Sequence, residues 1–334
     1  MNAVVTLGIG EAQTLAESAL RAAGAGVTMA TSLARATVDA ERRGKPAVGF
    51  SHLVDYLDSL IAGRINGKAA PKRNDPAPAL ITMDADGGIA QLCFDLAIAD
   101  LCRKTETYGL CLFSVSNSYT TGELGDYVVR LAERGLVAFA ATNGPALITG
   151  SGGTKPVYCT NPLAFAAPRA EGPPLLIDQS SSATAFVNVR NAAAEDAAIP
   201  AGWAVDAAGQ PTTDAKAALK GAMLAFGGAR GANIALMIEV LAAGLSGANW
   251  SLDAPDFMTG SKTPGCGLLV IAIAPTLLDP QFEERLGAQL DRLEKQYGVH
   301  IPGKPKVEAS ACPETQGIHL PSALLRRISA FTGL

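Results

Sequence analysis

The sequence predicts a mixed α/β protein in which helices at both ends enclose a centre of strands and turns. Three observations lead there. Both ends carry amphipathic patterns of helical period, the middle alternates short apolar runs with Gly- and Pro-rich turns, and no G-x-G-x-x-G opens a helix. The last point argues against a doubly wound dinucleotide-binding sheet.

Taken in order, residues 10–43 read as two helices broken at Gly24–Gly26, with Thr28 as the expected N-cap of the second. A third helix is expected over about 51–62, followed by a Pro/Gly-rich connection over the surface. Residues 81–109 read as strand, turn and long helix, with Ile89, Leu92, Cys93, Leu96 and Leu101 as its apolar stripe. A strand over 110–117, a helix ending at Gly135 and a strand "LVAFAATN" come next. Further strands are expected at 163–168, 175–180 and 267–275. The apolar helix over about 229–245 should be buried on most sides, and amphipathic helices return at the end. Each end is small for a stable core of its own, so the two are expected to pack together.

Composition excludes several classes. The 334 residues carry a net charge of −4 with no basic block, which argues against nucleic-acid binding. No 18-residue uncharged apolar run occurs, and "MNAVVTLGIGEAQ" lacks a basic leader, so no membrane span or signal peptide is expected. Six cysteines without a C-x-x-C read as reduced thiols of a cytoplasmic protein, with no metal site. Hydrophobic residues reach 48% against 17% charged, so large surfaces are expected to be buried, within the chain or in an oligomer.

Four stretches carry candidate chemistry. "GSGGTK" (150–155) lacks the phosphate-loop spacing and reads as a glycine turn. "CTNPLAFAAP" sets Thr160 and Asn161 before a proline, where the Asn161 amide faces a ligand or ties the turn. "LLIDQSSSA" puts Asp178 behind an apolar strand, where it orients a histidine or serves a structural hydrogen bond. "GGARGAN" places Arg230 at a glycine-rich helix start, where backbone N–H groups attract anions.

Together, "SVSNSYTTGELGDY", "KPVYCTNPLAFAAP", "LLIDQSSSA", "IPAGWAVDAAGQPTTDAKAAL" and "FGGARGANIALMIEVLAAGLSGANWS" resemble the malate/L-lactate dehydrogenase family, the non-Rossmann type, from about residue 10 onward. "FAAP" and "FGG" look most like its Δ1-piperideine-2-carboxylate/Δ1-pyrroline-2-carboxylate reductases. The resemblance implies a mainly antiparallel or mixed sheet that binds NADPH or NADH, a helical body from both termini, and a homodimer with its site near the interface. In this chain that gives 1–70 as an N-terminal helical part packing with the C-terminal helices and 71–112 as a connecting part near the dimer interface. It gives 113–275 as the NAD(P)-binding sheet domain and 276–334 as the C-terminal helical part. The implied reaction is hydride transfer to a carbon next to a carboxylate, with a small-molecule substrate. The chain is expected to reduce a cyclic ketimine; a 2-oxo acid dehydrogenase of malate or lactate type and a catalytically silent nucleotide binder are the alternatives.

The departures from the family pattern decide the site assignment. The family's Ser-His-Gly before the third helix falls, without gaps, on Ala47, Val48 and Gly49; with a gap, it falls on Ser51 and His52. A second family histidine becomes Thr120, the Lys of GG-x-KG becomes Arg230, and an Arg near the end becomes His300. The implied proton donor is therefore His52, capped by Ser51 and paired with Asp178, with Tyr119 as a second candidate donor. His52 read alone is also an ordinary helix-start residue. Cofactor contacts are assigned to Ser118, Thr120, Thr121, Gly122, Phe165 and Arg230, with His300, Lys304 and Lys306 near a phosphate. Thr160 and Asn161 are assigned to substrate.

Overall fold

The computed structural model describes residues 4–304, Val307 and 317–332. Cys312 and Lys306 lie outside these residues. The chain begins with strand β1 (Val4–Leu7) and helices α1 (Ile9–Ala22), α2 (Val27–Arg42) and α3 (Phe50–Ile61). It continues through β2 (Lys72–Ala77), β3 (Leu80–Asp84), α4 (Ala90–Tyr108), β4 (Leu110–Ser118), α5 (Leu124–Ala132) and β5 (Val137–Thr142). Short strands follow: β6 (Ile148–Thr149), β7 (Pro156–Tyr158), β8 (Leu163–Ala167) and β9 (Leu175–Gln179). Then come α6 (Phe186–Ala194), β10 (Ala204–Val205), β11 (Pro211–Thr212), α7 (Ala215–Ala218), β12 (Ala222–Met223) and α8 (Ala229–Glu239). The chain closes with β13 (Cys266–Ile273), α9 (Phe282–Tyr297), β14 (Ile318–Pro321) and α10 (Ser322–Thr332).

The main sheet has seven strands in the order β2-β3-β4-β13-β5-β8-β9. Only β3 and β4 run parallel; every other neighbouring pair is antiparallel. This is the mixed, mostly antiparallel sheet expected in place of a doubly wound one. It takes strands from both the 71–112 and the 113–275 parts of the chain. β13, a near-continuous apolar run, lies at the centre, where both faces are covered. The exposed edge strand β2 reads KRNDPA, and its charges and Pro76 discourage pairing with another chain. Phe94, Phe113, Tyr127 and Val270 belong to the core that joins this sheet to α4 and α5.

A second core holds α1 to α3 against α10 and the end of β4, through Leu20, Leu33, Phe50, Leu57, Tyr119 and Ile328. Here the two ends meet. β1 pairs antiparallel with β14, Val4 opposite Pro321 and Leu7 opposite Ile318. A third, smaller core unites the five-stranded sheet β11-β10-β12-β6-β7 with α6, α7 and α8.

Three expectations are corrected. α2 is capped by Gly26 rather than Thr28, because the chain turns helical directly at Val27. Leu96 points outward at 56% exposure, because Phe94, Ala97 and Leu101 carry the buried face of the helix there. α8 is not buried on most sides: Leu236, Met237 and the following Val240 are about half exposed. Its inner face, Ala235 and Ile238, suffices to cover the sheet.

Candidate active site

A buried ion network positions the first part of the site. Arg43 caps the end of α2, and Gly44 turns the chain so that Lys45 points back toward the main sheet. Arg43 donates to Glu123 Oε2 at 2.8 Å and to Asp126 Oδ1 at 2.8 Å. Arg35 reaches Asp126 at 3.2 Å and Asp95 at 3.4 Å, and Arg130 donates to Asp95 at 2.7 Å. Burial alone would raise Asp126, but the charges of Arg43, Arg35 and Arg130 outweigh it and hold its carboxyl at about 2. Lys45 Nζ donates to Asp178 and lies 3.0 Å from Glu123 Oε1. Burial opposes the Lys45 charge, yet Asp178 and then Glu123 outweigh burial and raise its pKa. Asp178 also accepts the Gly125 amide at 3.2 Å. These contacts fasten the start of α5 to the end of β9.

The second part starts at Gly49. A Cβ there would come within 2.3 Å of Glu41 Oε2, which accepts the Phe50 amide at 3.0 Å. Glu41 therefore serves the helix start, and Gly49, not Ser51, is the N-cap of α3. His52 stands in the first turn, and its Nδ1 is 2.9 Å from Asp55 Oδ2. The two are three residues apart on one helix face. Burial would raise Asp55, but the His52 hydrogen bond and the charges of His52, Arg190 and Arg327 lower it. The expected pairing of His52 with Asp178 is thus corrected. Asp55 is the partner of His52, and Lys45 has taken Asp178.

His52 meets the edge of Tyr56 at 4.6 Å between ring centres, and Tyr56 meets Tyr119 at 5.6 Å. Thr120 Oγ1 donates to the Tyr56 hydroxyl at 2.9 Å, and Gln91 Nε2 donates to it at 3.1 Å. This brings the loop after β4 to the His52 helix. Tyr119 is fully used: its hydroxyl receives Ser59 at 2.8 Å and donates to the Phe257 carbonyl at 2.8 Å. Burial pushes its phenol up to about 12, which makes it a poor donor. Ser118 is buried and donates to the Cys266 carbonyl at 3.1 Å. Thr121 offers its carbonyl to Tyr127. Gly122 has φ +66°, and a Cβ on it would lie 2.8 Å from Gln91 Nε2. Val48, at the position of the family's histidine in the ungapped reading, lines a small closed space with Tyr56, Thr121 and Gly122.

Asn161 lies elsewhere. Its side chain is buried, donating to the Ala235 carbonyl and to Glu239 Oε2, both at 2.8 Å. Glu239 also accepts Ser251 Oγ at 2.7 Å. The Asn161 amide therefore ties the turn, which corrects its assignment to substrate. The same buried Glu239 precedes a π-helical turn over Val240–Gly244. Thr160 is half buried beside Cys159, and its carbonyl accepts the Ser181 amide at 2.8 Å.

Two clefts flank these groups. One, of about 290 Å³, is lined by Lys45, Leu176, Asp178, Gln179, His300 and Gly303. The other, of about 330 Å³, is lined by Gly150–Gly153, Ala183, Gly227 and Gly228 at the start of α8, whose first turn carries the exposed Arg230. A Cβ at Gly227 or Gly228 would meet nothing within 4 Å, so the backbone there is open to a phosphate. Carboxylate and amide acceptors in the first cleft suit ribose hydroxyls. These groups are of the kinds that suit a nucleotide's ribose and phosphates. Phe165 lies on β8 opposite Ile177 of β9, one residue from the Ala164–Asp178 pair. Lys304 does not line the first cleft with His300; both Glu294 oxygens hold its Nζ at 2.8 Å. Among the described residues, no group of three or more His, Cys, Asp or Glu side chains is placed to hold a metal ion.

Lys45, Glu123 and Asp55 were not found by sequence reasoning. "ERRGKP" reads as a solvated helix end, and only the turn at Gly44 directs its cations inward. Asp55 had a signal, its three-residue spacing from His52, which the search for a distant carboxylate passed over.

Residues 8–329 match the family described as malate/L-lactate dehydrogenase. The chain is 36% identical over 322 residues to a (2R)-3-sulfolactate dehydrogenase (NADP(+)) of Chromohalobacter salexigens, covering 96% of each protein. It is 36% identical over 303 residues to a Δ1-pyrroline-2-carboxylate/Δ1-piperideine-2-carboxylate reductase of Pseudomonas aeruginosa, covering 90% of this chain and 91% of that one. The crystal structure of Δ1-piperideine-2-carboxylate reductase from Pseudomonas syringae pv. tomato superposes with a TM-score of 0.93 at 33% identity, over 98% of this chain and 99% of that one. Sequence and architecture agree along almost the whole length, and the chain belongs to the malate/L-lactate dehydrogenase family of oxidoreductases.

Proposed function

We propose that the chain is an NAD(P)H-dependent reductase of a small cyclic ketimine carboxylate, of the Δ1-pyrroline-2-carboxylate or Δ1-piperideine-2-carboxylate kind. The observation that carries this reading is the position of Val48. An apolar side chain faces Tyr56, Thr121 and Gly122 where the ungapped reading puts the family's histidine, leaving His52 as the donor nearby. A cyclic imine is readily protonated in water and asks less of an enzymic acid than a ketone does. Losing the donor at this point is therefore tolerated better with an imine. The likeness to the two reductases adds to the argument.

The bound nicotinamide would supply the hydride that reaches C2. The chain's own residues do the rest. Thr120, Thr121 and Gly122, with Phe165, Arg230 and His300, would hold the cofactor, whereas the buried Ser118 hydroxyl is committed to Cys266. Lys45 pairs with Asp178 beside the first cleft. His52, fixed through Nδ1 by Asp55, has its other ring nitrogen to give a proton at the substrate nitrogen and recover it from water. Asp55 is a positioning residue in this scheme, setting the tautomer and angle of the ring.

The reading includes a homodimer. The half-exposed face of Leu236, Met237 and Val240, continued by Leu245, Trp250 and Leu252, suits a second copy of the chain. It also includes a cytoplasmic setting, in keeping with the free thiols of Cys93, Cys102, Cys111, Cys159 and Cys266. No helix among the described residues is long and apolar enough to cross a membrane.

The test titrates NADPH and NADH by fluorescence and then follows cofactor oxidation on a panel of cyclic imines and 2-oxo acids. Faster turnover of the imines is expected. Binding without turnover would favour a silent nucleotide binder, and faster turnover of oxo acids would favour a dehydrogenase of malate or lactate type.

A further inference from the structure

The reading above leaves the carboxylate of the substrate without an anchor. An anion held next to His52 needs a cation that is not already neutralised. Lys45 is committed to Asp178 and Glu123. Arg64 donates to Ser59 Oγ at 3.0 Å and to the Gly260 carbonyl at 2.9 Å. Arg327 is bound to Asp58 at 3.1 Å on the outer side of α3. Arg190 differs: its one ion pair among the described residues is a loose approach to Asp55 Oδ2 at 3.9 Å. Its side chain remains 38% exposed.

The direction of Arg190 follows from its helix. Phe186 and Arg190 are four residues apart on α6 and share a face. Phe186 meets Phe257 at 6.4 Å between ring centres, and the Phe257 carbonyl accepts the Tyr119 hydroxyl. Tyr119, Tyr56 and His52 continue this line edge to face. One face of α6 is thus set against the aromatic wall that ends at His52, and the guanidinium stands across from the His52–Asp55 pair.

We propose that Arg190 is the substrate-binding residue that takes the carboxylate beside C2, and so selects 2-carboxylated substrates over neutral imines. The inference rests on the reading of the site as a reductase centre around His52. The fork of a guanidinium matches a carboxylate in two hydrogen bonds. Asp55, already held by His52, orients the fork without saturating it. Arg190 would come from α6 while His52 comes from α3, so the substrate bridges the small-sheet body and the helical body.

The experiment compares wild type, Arg190→Gln and Arg190→Lys. Calorimetry measures binding of pyrrole-2-carboxylate, a planar unreactive carboxylate, and of pyrrole-2-carboxamide, its neutral counterpart, to the protein with bound NADPH. Arg190→Gln is expected to weaken the carboxylate about 10- to 100-fold, the size of a lost charge-assisted bond. Arg190→Lys should recover part of it. The carboxamide and NADPH itself should bind all three proteins alike. In turnover, KM for the cyclic imine carboxylate should rise by a similar factor with kcat within about threefold. Equal carboxylate affinity in wild type and Arg190→Gln, or no binding to the wild type, overturns the proposal. A wild type that binds the carboxylate through Arg190 but reduces no imine refutes the reductase reading and leaves the anchor standing.

Discussion

Replacing Asp126 by asparagine tests whether the buried ion network holds the site. Asp126 is almost fully buried, receives Arg43 at 2.8 Å and Arg35 at 3.2 Å, and its carboxyl falls from 3.8 to about 2. The folded value is depressed, so this stability is present above about pH 4 and is lost as pH falls through 2. The shift corresponds to about 2 kcal/mol at pH 7 and to about 1 kcal/mol at pH 3. The asparagine keeps an acceptor for one guanidinium, so the full loss of a buried pair, about 3–5 kcal/mol, is not reached. Urea unfolding of Asp126→Asn and wild type should show a difference of about 2–3 kcal/mol at pH 7, shrinking by roughly half at pH 3. Because Arg43 also carries Glu123, cofactor affinity should fall in parallel. A difference that is absent, or equal at both pH values, refutes the reasoning.

Three further outcomes are expected. His52→Ala and Asp55→Asn should each lower kcat at least about tenfold, and the double variant should not multiply the two losses, because they act as one unit; a normally folded His52→Ala with wild-type turnover would make His52 a helix-start residue only. Arg230→Ala should weaken cofactor binding by about 1.5–3 kcal/mol in a fluorescence titration, and unchanged affinity would remove Arg230 from the site. Gly122→Ala must adopt φ +66° and crowd Gln91 Nε2, so its Tm should drop and its KM for cofactor should rise, whereas wild-type behaviour in both would free the loop from that role.

The parts of the fold written in local pattern were legible. Continuous apolar runs such as 267–275 announced buried strands, and the break at Gly24–Gly26 separated α1 from α2. The outward face of α8 was not legible. An apolar helix inside one chain and one that meets another surface look alike in sequence. The site followed the same division. His52 was visible because histidines are scarce, and its loop was visible through a specific resemblance. Its carboxylate partner was misjudged, because Asp178 stands out after an apolar strand whereas Asp55 sits beside Asp58 on one helix, where the pattern favours neither. Lys45 was missed because its role depends on a backbone turn at Gly44, and a turn redirects a side chain without altering the residue pattern. Asn161 carried two readings, and only the packing of Glu239 beneath it decides for the structural one.

The central claim is that hydride reaches C2 of a cyclic imine that carries a carboxylate. The most direct measurement incubates the protein with Δ1-pyrroline-2-carboxylate and NADPH or NADH carrying deuterium at nicotinamide C4, on each face in turn, and examines the product by NMR. The account predicts proline with deuterium at C2 from one of the two faces, formed with a higher kcat/KM than any 2-hydroxy acid arising from its 2-oxo acid. Proline without deuterium from either face, no proline at all, or preferential labelling of a 2-hydroxy acid would contradict it.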